Sequence, residues 1–435
     1  MQDFTIPENN PPENRILKKT RPFLILLGIP LGIFLGISCS RGEPATAVLW
    51  TDRPEFAIYG EYFNSAQEQY KVETRYFPSP AQKLTQTGEY PDIVVGYWLK
   101  SASTRSLFKP LDSLFKREVI SQDAFYPRLL ALGNIENKQY LLPVSFNLPA
   151  LVFAEENSAL LSNPFTVSLE EIRKLGRNYN QELKGVYSRM GFSPAWNDEF
   201  LFITATLFNT SFREAVPLAW DPLALERAMI FISDWIGEAN TNLQAEDDFA
   251  FKYFYEPPIK LVLSGRVLFT YMASSEFFTS PEERRARLDF RWIAENNTIP
   301  LSEETLYYGI YKDGRAKRAS EAFTQWFFQV ETQSQLLETS KNMRINETLF
   351  GIGNGFSAMR TVTEQIFPRF YPKLLGHMPP GDFLSPPNIL PRNWMVIKER
   401  VILPYMRDRI RYNNPEEIRY LDKRLTEWYR INREM

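Results

Sequence analysis

The chain has 435 residues, of which 44% are hydrophobic, so it is long and apolar enough to bury more than one core. Its 50 Lys and Arg residues balance 52 Asp and Glu residues, which excludes a general cationic surface for nucleic acid. The single His and single Cys exclude a Cys/His zinc site, a thiol protease and a disulfide framework. A Ser-His-Asp triad would have to use His377, a histidine in a loop-like Gly- and Pro-rich stretch.

The N-terminus has the order of a signal peptide. The basic residues Lys18, Lys19 and Arg21 precede an apolar run at 23–38, and this run is shorter than the roughly 20 residues of a bilayer-spanning helix. Cys39 follows directly and resembles the lipidated cysteine of a bacterial lipobox, although Gly36 and Ser38 depart from the usual pattern. We predict a signal peptide at 1–38 and a lipidated linker at 39–46, which place the exported protein at the cell membrane or in the periplasm. An uncleaved signal anchor and a buried apolar segment are the alternatives.

Alternating strands and helices follow in the first part of the remaining chain. Strands are predicted at 47–50, 72–77 and 92–95, with helices after Pro54, around 81–87 and from about Lys100. This alternation is typical of parallel β-α-β units. Two further strands at 140–153, interrupted by prolines, suit a crossing between lobes better than the centre of a sheet.

The second part repeats the alternation. Ser168 and Glu171 form a capping box for a helix through Leu175. Strands are predicted near 185–191, 266–271 and 306–311, and helices near 199–208, 222–236 and 315–328. Helical stretches and Pro-rich loops are predicted beyond residue 344.

Several segments, in this order, resemble the extracellular solute-binding protein type 1 family, the class of maltose-binding protein and other sugar receptors of ABC importers. The segments are LWTD at 49–52, PDIVV at 91–95, the strand pair at 142–153, GRVLFTYM at 265–272 and YGI at 308–310. No single motif is specific, but the ordered set covers most of residues 47–342. Residues 343–435 have no firm counterpart in the family.

The resemblance implies an α/β fold with two lobes, hinge-crossing strands and a ligand cleft between the lobes (a type II periplasmic-binding-protein fold). One lobe would comprise 47–146 plus 308–342, and the other 150–305 plus 343–435. The function implied is capture of a carbohydrate, most simply an oligosaccharide, and its delivery to ABC permease subunits, without catalysis, cofactor or metal.

Candidate ligand contacts are taken from segments that follow strands or match the family's contact regions. Sugars need aromatic planes beside short polar and charged groups. Trp196 is the leading stacking candidate; its alternative reading is a tryptophan at a helix entry, with Asn197 as the N-cap. Asp52 has a similar alternative, as the cap of the helix near Pro54. The candidate contacts are Asp52, Arg53, Tyr97, Trp98, Phe146, Asn147, Trp196, Asn197, Glu199, Tyr271, Ser274, Ser275 and Phe277.

Other functions remain open at this point. A glycosidase would need two carboxylates but neither His nor Cys. A receptor or adhesin of the same fold would recognise protein, with the long C-terminal segment as its contact. Peptides, polyamines and other small solutes are alternative ligands.

Overall fold

Two mixed β-sheets, joined by segments that cross between them, organise the chain in a computed structural model that describes residues 45–86, 88–412 and 420–432. The described residues belong to one compact unit. The predicted signal peptide and Cys39 lie outside the described residues.

The strands and helices are numbered here in chain order. The strands are β1 Ala45–Thr51, β2 Tyr70–Tyr76, β3 Ile93–Gly96, β4 Asn134–Ile135, β5 Lys138–Gln139, β6 Leu141–Phe146, β7 Pro149–Ala154, β8 Thr166–Val167, β9 Gln181–Leu183, β10 Val186–Arg189, β11 Phe269–Ala273, β12 Leu288–Ile293, β13 Ile299–Pro300, β14 Leu306–Ile310, β15 Phe356–Ser357 and β16 Leu384–Ser385. The helices are α1 Glu55–Ala66, α2 Pro80–Lys83, α3 Ala102–Arg105, α4 Asp112–Lys116, α5 Pro127–Ala131, α6 Leu169–Tyr179, α7 Asp198–Leu207, α8 Pro222–Asn240, α9 Leu243–Lys252, α10 Pro258–Leu263, α11 Ser274–Thr279, α12 Glu282–Arg285, α13 Lys317–Phe327, α14 Val330–Asn342, α15 Phe367–Phe370, α16 Trp394–Ile397, α17 Leu403–Arg411 and α18 Leu421–Ile431.

The first sheet has the strand order β15-β6-β14-β3-β1-β2. Strand β1 pairs in parallel with both β2 and β3, as the sequence predicts, whereas β14 pairs antiparallel with β3 and β6. Helix α1 covers this sheet because Phe56, Tyr59 and Phe63 fall on one face and are buried. We call the part of the chain built on this sheet the first lobe.

The second sheet has the order β11-β7-β12-β8 and forms the base of the second lobe. Strand β7 lies between β11 and β12 and pairs antiparallel with both. All six residues of β7 are buried, which explains its continuous apolar sequence. The strand predicted near 185–191 exists as β10, but it pairs only with β9 in a separate two-stranded hairpin.

Two crossings join the sheets, one directly after β6 and the other directly before β14. Residues 147–148 connect β6 of the first sheet to β7 of the second, and residues 301–305 lead back to β14. Ser274 Oγ accepts a hydrogen bond from the Leu148 N–H (3.1 Å) and donates one to Asn147 Oδ1 (2.7 Å). The first crossing is therefore fastened to the end of β11.

The C-terminal segment contacts both lobes. Strand β15 pairs with β6 at the edge of the first sheet, so residues 356–357 lie with the first lobe, whereas the sequence placed most of 343–435 with the second. This pairing joins residues about 200 apart, for which the sequence gives no local signal. Helix α17 contacts α7 and α8 of the second lobe, and Trp394 and Ile397 are buried in the same apolar cluster.

Within the described residues, no helix combines the length and the apolar character needed to cross a bilayer. The same residues contain no group of three His, Cys, Asp or Glu side chains placed to hold a metal ion.

Candidate functional site

Two adjacent cavities lie between the lobes. The first has a volume of about 330 Å³ and the second about 260 Å³. The first is lined by Asp52, Arg53, Pro78, Ser79, Pro80, Gln82, Tyr97, Trp98, Glu304, Arg392, Asn393, Met395 and Val396. The second is lined by Asn147, Leu148, Pro149, Asn197, Glu199, Ile203, Tyr271, Ala273, Ser275, Glu276, Ser302, Glu303, Glu304, Met395 and Lys398.

The first cavity opens at the carboxyl ends of parallel strands, where open α/β sheets place their ligands. Asp52 and Arg53 follow β1, and Tyr97 and Trp98 follow β3. The Arg53 guanidinium lies 4.8 Å from the centre of the Tyr97 ring, and its Nε donates to Asp52 Oδ1 at 3.2 Å. An aromatic pair and a charged pair thus share one wall.

Two residues of this wall have unusual properties: Trp98 has an uncommon backbone conformation, and Asp52 has a shifted pKa. Trp98 has a φ of 62°, a left-handed conformation that is uncommon for a bulky residue and is typically held by its surroundings at functional sites. Burial raises the pKa of Asp52, although Arg53 acts in the opposite direction. Pro54 occupies the N-cap position of α1 without a side-chain hydrogen bond, so Asp52 does not cap that helix.

A buried ion-pair cluster forms part of the second cavity. Lys398 Nζ lies 2.7 Å from Glu199 Oε2 and 2.7 Å from Glu303 Oε1, and its side chain is 1% exposed. Burial acts to lower the pKa of Lys398, but the two carboxylates outweigh it and raise that pKa above its ordinary value. The indole of Trp394 also donates to Glu303 Oε1, at 3.2 Å. Lys398 therefore ties the C-terminal segment to α7 and to the second crossing.

Glu304 and Met395 line both cavities and stand between them. Glu304 belongs to the second crossing, and Met395 belongs to α16. Burial raises the pKa of Glu304, and the neighbouring Glu303 raises it further. We call this pair of residues the divider, because it separates the part of the cleft beside the first sheet from the part beside α7.

The structure brings most of the candidate contacts to these cavities. Those on the first cavity are Asp52, Arg53, Tyr97 and Trp98. Those on the second are Asn147, Asn197, Glu199, Tyr271 and Ser275. Asn197 also caps α7, since its Oδ1 accepts from the N–H groups of Glu199 and Phe200.

Three candidates line neither cavity, because protein atoms surround them. Phe146 is fully buried between Tyr126 and Phe356. Phe277 is fully buried beside its neighbours Phe278 and Phe290. Ser274 is fully buried, and its hydroxyl is used at the first crossing.

Trp196 lies outside the lining of both cavities. Its ring stacks on Phe249 with 5.6 Å between centroids and 15° between planes, and its Nε1 donates to the carbonyl of Glu246 at 3.4 Å. It ends a short turn that leads into α7. This placement matches the alternative reading of a tryptophan at a helix entry.

The sequence reasoning missed the divider and the side of the cleft that the C-terminal segment forms. We call this side the C-terminal wall; it consists of Arg392, Asn393, Met395, Val396 and Lys398. Glu303 and Glu304 stand directly before a predicted strand that returns to the first lobe. This position between the lobes was a local signal from which both carboxylates could have been predicted to face the cleft. Lys398 begins the charged triplet Lys398-Glu399-Arg400 between the apolar stretches 394–397 and 401–403, and such a triplet gives no local signal that one of its members is buried.

His377 is engaged elsewhere in the second lobe. Its Nε2 lies 3.0 Å from Arg291 Nη1 and 3.3 Å from Asp289 Oδ1, and its carbonyl accepts from the indole of Trp292 at 2.7 Å. It lines neither cavity.

The backbone as a whole is similar to those of solved sugar receptors. The bacterial solute receptor AcbH, described as having an exclusive preference for β-D-galactopyranose, has a TM-score of 0.60 at 13% identity, over 90% of this chain and all of that one. The fold is that of the two-lobe sugar receptors. The sugar-binding protein MalE of Xanthomonas citri has a TM-score of 0.58 at 10% identity, over 89% of this chain and 96% of its own. An ABC substrate-binding protein of Listeria monocytogenes, solved with cycloalternan, has a TM-score of 0.57 at 11% identity, over 89% of this chain and 99% of its own.

No family model matches the sequence, and no curated protein matches it. The similarity is therefore one of fold, while the sequence itself has diverged. The two-lobe α/β architecture expected from the ordered segments is confirmed.

Proposed function

We propose that this chain is a solute-binding protein that captures a carbohydrate in the cleft between its lobes and delivers it to the permease of an ABC importer. The observation that carries the proposal is the first cavity, in which Tyr97 and Trp98 stand beside Asp52 and Arg53 at the carboxyl ends of β1 and β3. Solved proteins of the same fold bind sugars, which supports the choice of ligand class.

The chemistry of the cavity suits a sugar. A pyranose has apolar ring faces and hydroxyl edges, so it needs aromatic surface next to groups that donate and accept hydrogen bonds. The Arg53 guanidinium supplies only donors, and the Asp52 and Glu304 carboxylates supply acceptors when they are ionised. Asn393 adds an amide that does both.

Capture would require the cleft to open and close. The two crossings are short, at 147–148 and 301–305, and such segments are where hinge motion is absorbed. A ligand that contacts the first lobe through Trp98 and the C-terminal wall through Asn393 would favour the closed arrangement, because it binds that form better.

We propose binding without chemical conversion. Glycoside hydrolysis needs two carboxylates on either side of the scissile bond. Glu199 and Glu303 instead hold the same ammonium group of Lys398, so they face one cation of the protein rather than opposite sides of a substrate.

The location of the protein is proposed from its N-terminus. A signal peptide at 1–38 followed by lipidation of Cys39 would place the receptor outside the cytoplasm and hold it at a membrane, close to permease subunits. We propose that the lobes move as two bodies. One comprises 47–146 plus 308–342, and the other comprises 150–305 with most of 343–435.

A thermal-shift screen against mono- and oligosaccharides tests the proposed function. A ligand that binds the folded state raises apparent stability, by about 2.7 kcal/mol at a hundred times Kd. At least one carbohydrate should raise Tm in a concentration-dependent way. A screen in which amino acids, peptides or polyamines raise Tm and no sugar does would contradict the proposal.

A further inference from the structure

Three aromatic side chains project from the second lobe into solvent. Phe251 is 83% exposed, Phe254 is 74% exposed and Tyr255 is 94% exposed. They are consecutive or nearly so, and the rings of Phe254 and Tyr255 touch edge to face, 5.2 Å apart. We call these three residues the aromatic tip. Single exposed apolar residues are common on proteins, but a contiguous group usually marks an interaction surface.

The aromatic tip is held in this exposed position by neighbours that face inward. Phe249 on α9 is buried against Trp196, and its ring lies 5.0 Å from that of Tyr253. The Glu256 N–H then donates to the Tyr253 carbonyl at 2.8 Å, which closes the turn between α9 and α10. Since Phe249 and Tyr253 occupy the inward positions, the aromatic tip remains outside.

Several basic side chains without a carboxylate partner surround the aromatic tip. Residues 181–189 and 247–266 carry five basic and four acidic side chains, and one of the acids, Asp247, is paired with Arg411 of α17 at 3.2 Å. Another of those acids, Glu256, is paired with Lys260 at 2.6 Å. Among the described residues, no carboxylate pairs with Lys184, Arg189, Lys252 or Arg266.

Arg266 joins the β9–β10 hairpin to the base of the aromatic tip. Its guanidinium lies 5.9 Å from the centre of the Tyr253 ring, and its Nη1 donates to the Ser188 carbonyl at 3.4 Å. The hairpin carries Leu183 and Val186, which are 72% and 60% exposed. The hairpin and the turn between α9 and α10 are thus in contact, and both carry exposed apolar side chains next to basic ones.

We propose that the aromatic tip inserts into the headgroup region of an anionic lipid bilayer. Aromatic side chains partition to the membrane interface, and Lys and Arg next to them are attracted to anionic headgroups. The unpaired basic side chains around the aromatic tip make an anionic bilayer a better match than a neutral one. This contact goes beyond carbohydrate capture and does not depend on Cys39.

The test uses the full chain carrying Cys39→Ala, so that one introduced thiol can be labelled with an environment-sensitive fluorophore. One variant carries Tyr255→Cys in the aromatic tip, and the matched control carries Asp123→Cys at an exposed site of the first lobe. Each is mixed with vesicles of phosphatidylglycerol and phosphatidylcholine, or of phosphatidylcholine alone. Thermal melts confirm that each labelled chain is folded.

With anionic vesicles, the label at 255 should shift to shorter emission wavelength and be quenched by spin-labelled lipid, while the label at 123 should do neither. High salt should reduce both the emission shift and the quenching of the label at 255. Lys252→Glu should lower the ratio of inserted to free label at least about fivefold, since each basic residue near an anionic surface contributes about that factor. An unshifted label at 255, an equal response at 123, or an equal response with phosphatidylcholine alone would overturn the proposal; the first result would favour a protein partner for this surface.

Discussion

Lys398 and Glu303 form an ion pair of 2.7 Å that joins the C-terminal segment to the crossing between the lobes. The lysine side chain is 1% exposed and the glutamate side chain 9% exposed. A buried pair of this kind offers little net stability over an apolar pair, but removing one partner leaves a charge uncompensated. The pair therefore makes the geometry of the divider sensitive to both residues.

Lys398→Met tests this relationship. The substitution leaves two carboxylates, those of Glu199 and Glu303, without their shared cation, and it should cost about 3–5 kcal/mol in the free energy of unfolding. Denaturant titration measures the loss. Adding Glu303→Gln to Lys398→Met should recover part of it, because the most buried carboxylate is then neutral. A loss below about 1 kcal/mol for the single variant would show that the ion pair is not held as described.

Met395→Ala tests the divider. Truncating Met395 removes one of the two side chains that separate the cavities of about 330 and 260 Å³. The enlarged space should accept a longer oligosaccharide, so the preferred chain length should increase in calorimetric titrations. Val396→Ala is the matched control, since Val396 lines the first cavity alone. The same length preference in Met395→Ala and wild type would rule out a role for the divider in selecting length.

Glu246→Gln tests a buried carboxyl beneath Trp196. Glu246 is fully buried, accepts hydrogen bonds from Ser193 and Asn240, and burial raises its pKa to about 7 from an ordinary 4.5. Because the folded pKa is the higher one, this group's contribution to stability is full below pH 4.5 and is lost as the pH rises through about 7.

The wild type should therefore lose about 3 kcal/mol through this group as the pH rises across that window. Glu246→Gln should be free of that loss, so the difference in unfolding free energy between the two chains should shift towards the variant with rising pH. Asp248→Asn, at an exposed neighbouring site, is the matched control variant. A difference between Glu246→Gln and wild type that does not change with pH would contradict the assignment.

Much of the site could be predicted from the sequence, because several of its residues are placed by their position directly after a strand. Asp52 and Tyr97 were predicted because they directly follow buried strands, and the carboxyl ends of parallel strands meet at one edge. Glu199 and Tyr271 were predicted from segments that resemble the family's contact regions. Each of these side chains now lines a cavity.

The sequence did not predict in which direction a side chain points, nor which residues far apart in the chain pack together. Phe146 ends a strand at the crossing, as a ligand contact would, yet it packs against Phe356, which is over 200 residues away. Met395 and Lys398 reach the cleft because α16 packs across the second lobe, and no local pattern encodes that arrangement. The C-terminal wall of the site thus required the structure.

Cys39→Ala tests the proposed anchor. The variant should take up no labelled fatty acid and should leave the membrane fraction, since the thiol is the predicted site of lipidation. Metabolic labelling with a fatty acid followed by fractionation measures both. Ser40→Ala provides a control at the neighbouring position. Absence of label on the wild-type chain would refute lipidation.

Calorimetric titration of Trp98→Ala and Trp196→Ala, with the carbohydrate that most stabilises the wild type, tests the central claim most directly. Both changes remove an indole, but Trp98 lines the first cavity and Trp196 stacks on Phe249 outside it. Trp98→Ala should weaken binding at least about tenfold. Trp196→Ala should retain affinity and lose stability instead, by less than the roughly 3–5 kcal/mol of a core tryptophan, because its ring is only partly buried. Unchanged affinity in Trp98→Ala, together with a loss in Trp196→Ala, would contradict the cleft described here and restore Trp196 as the binding platform.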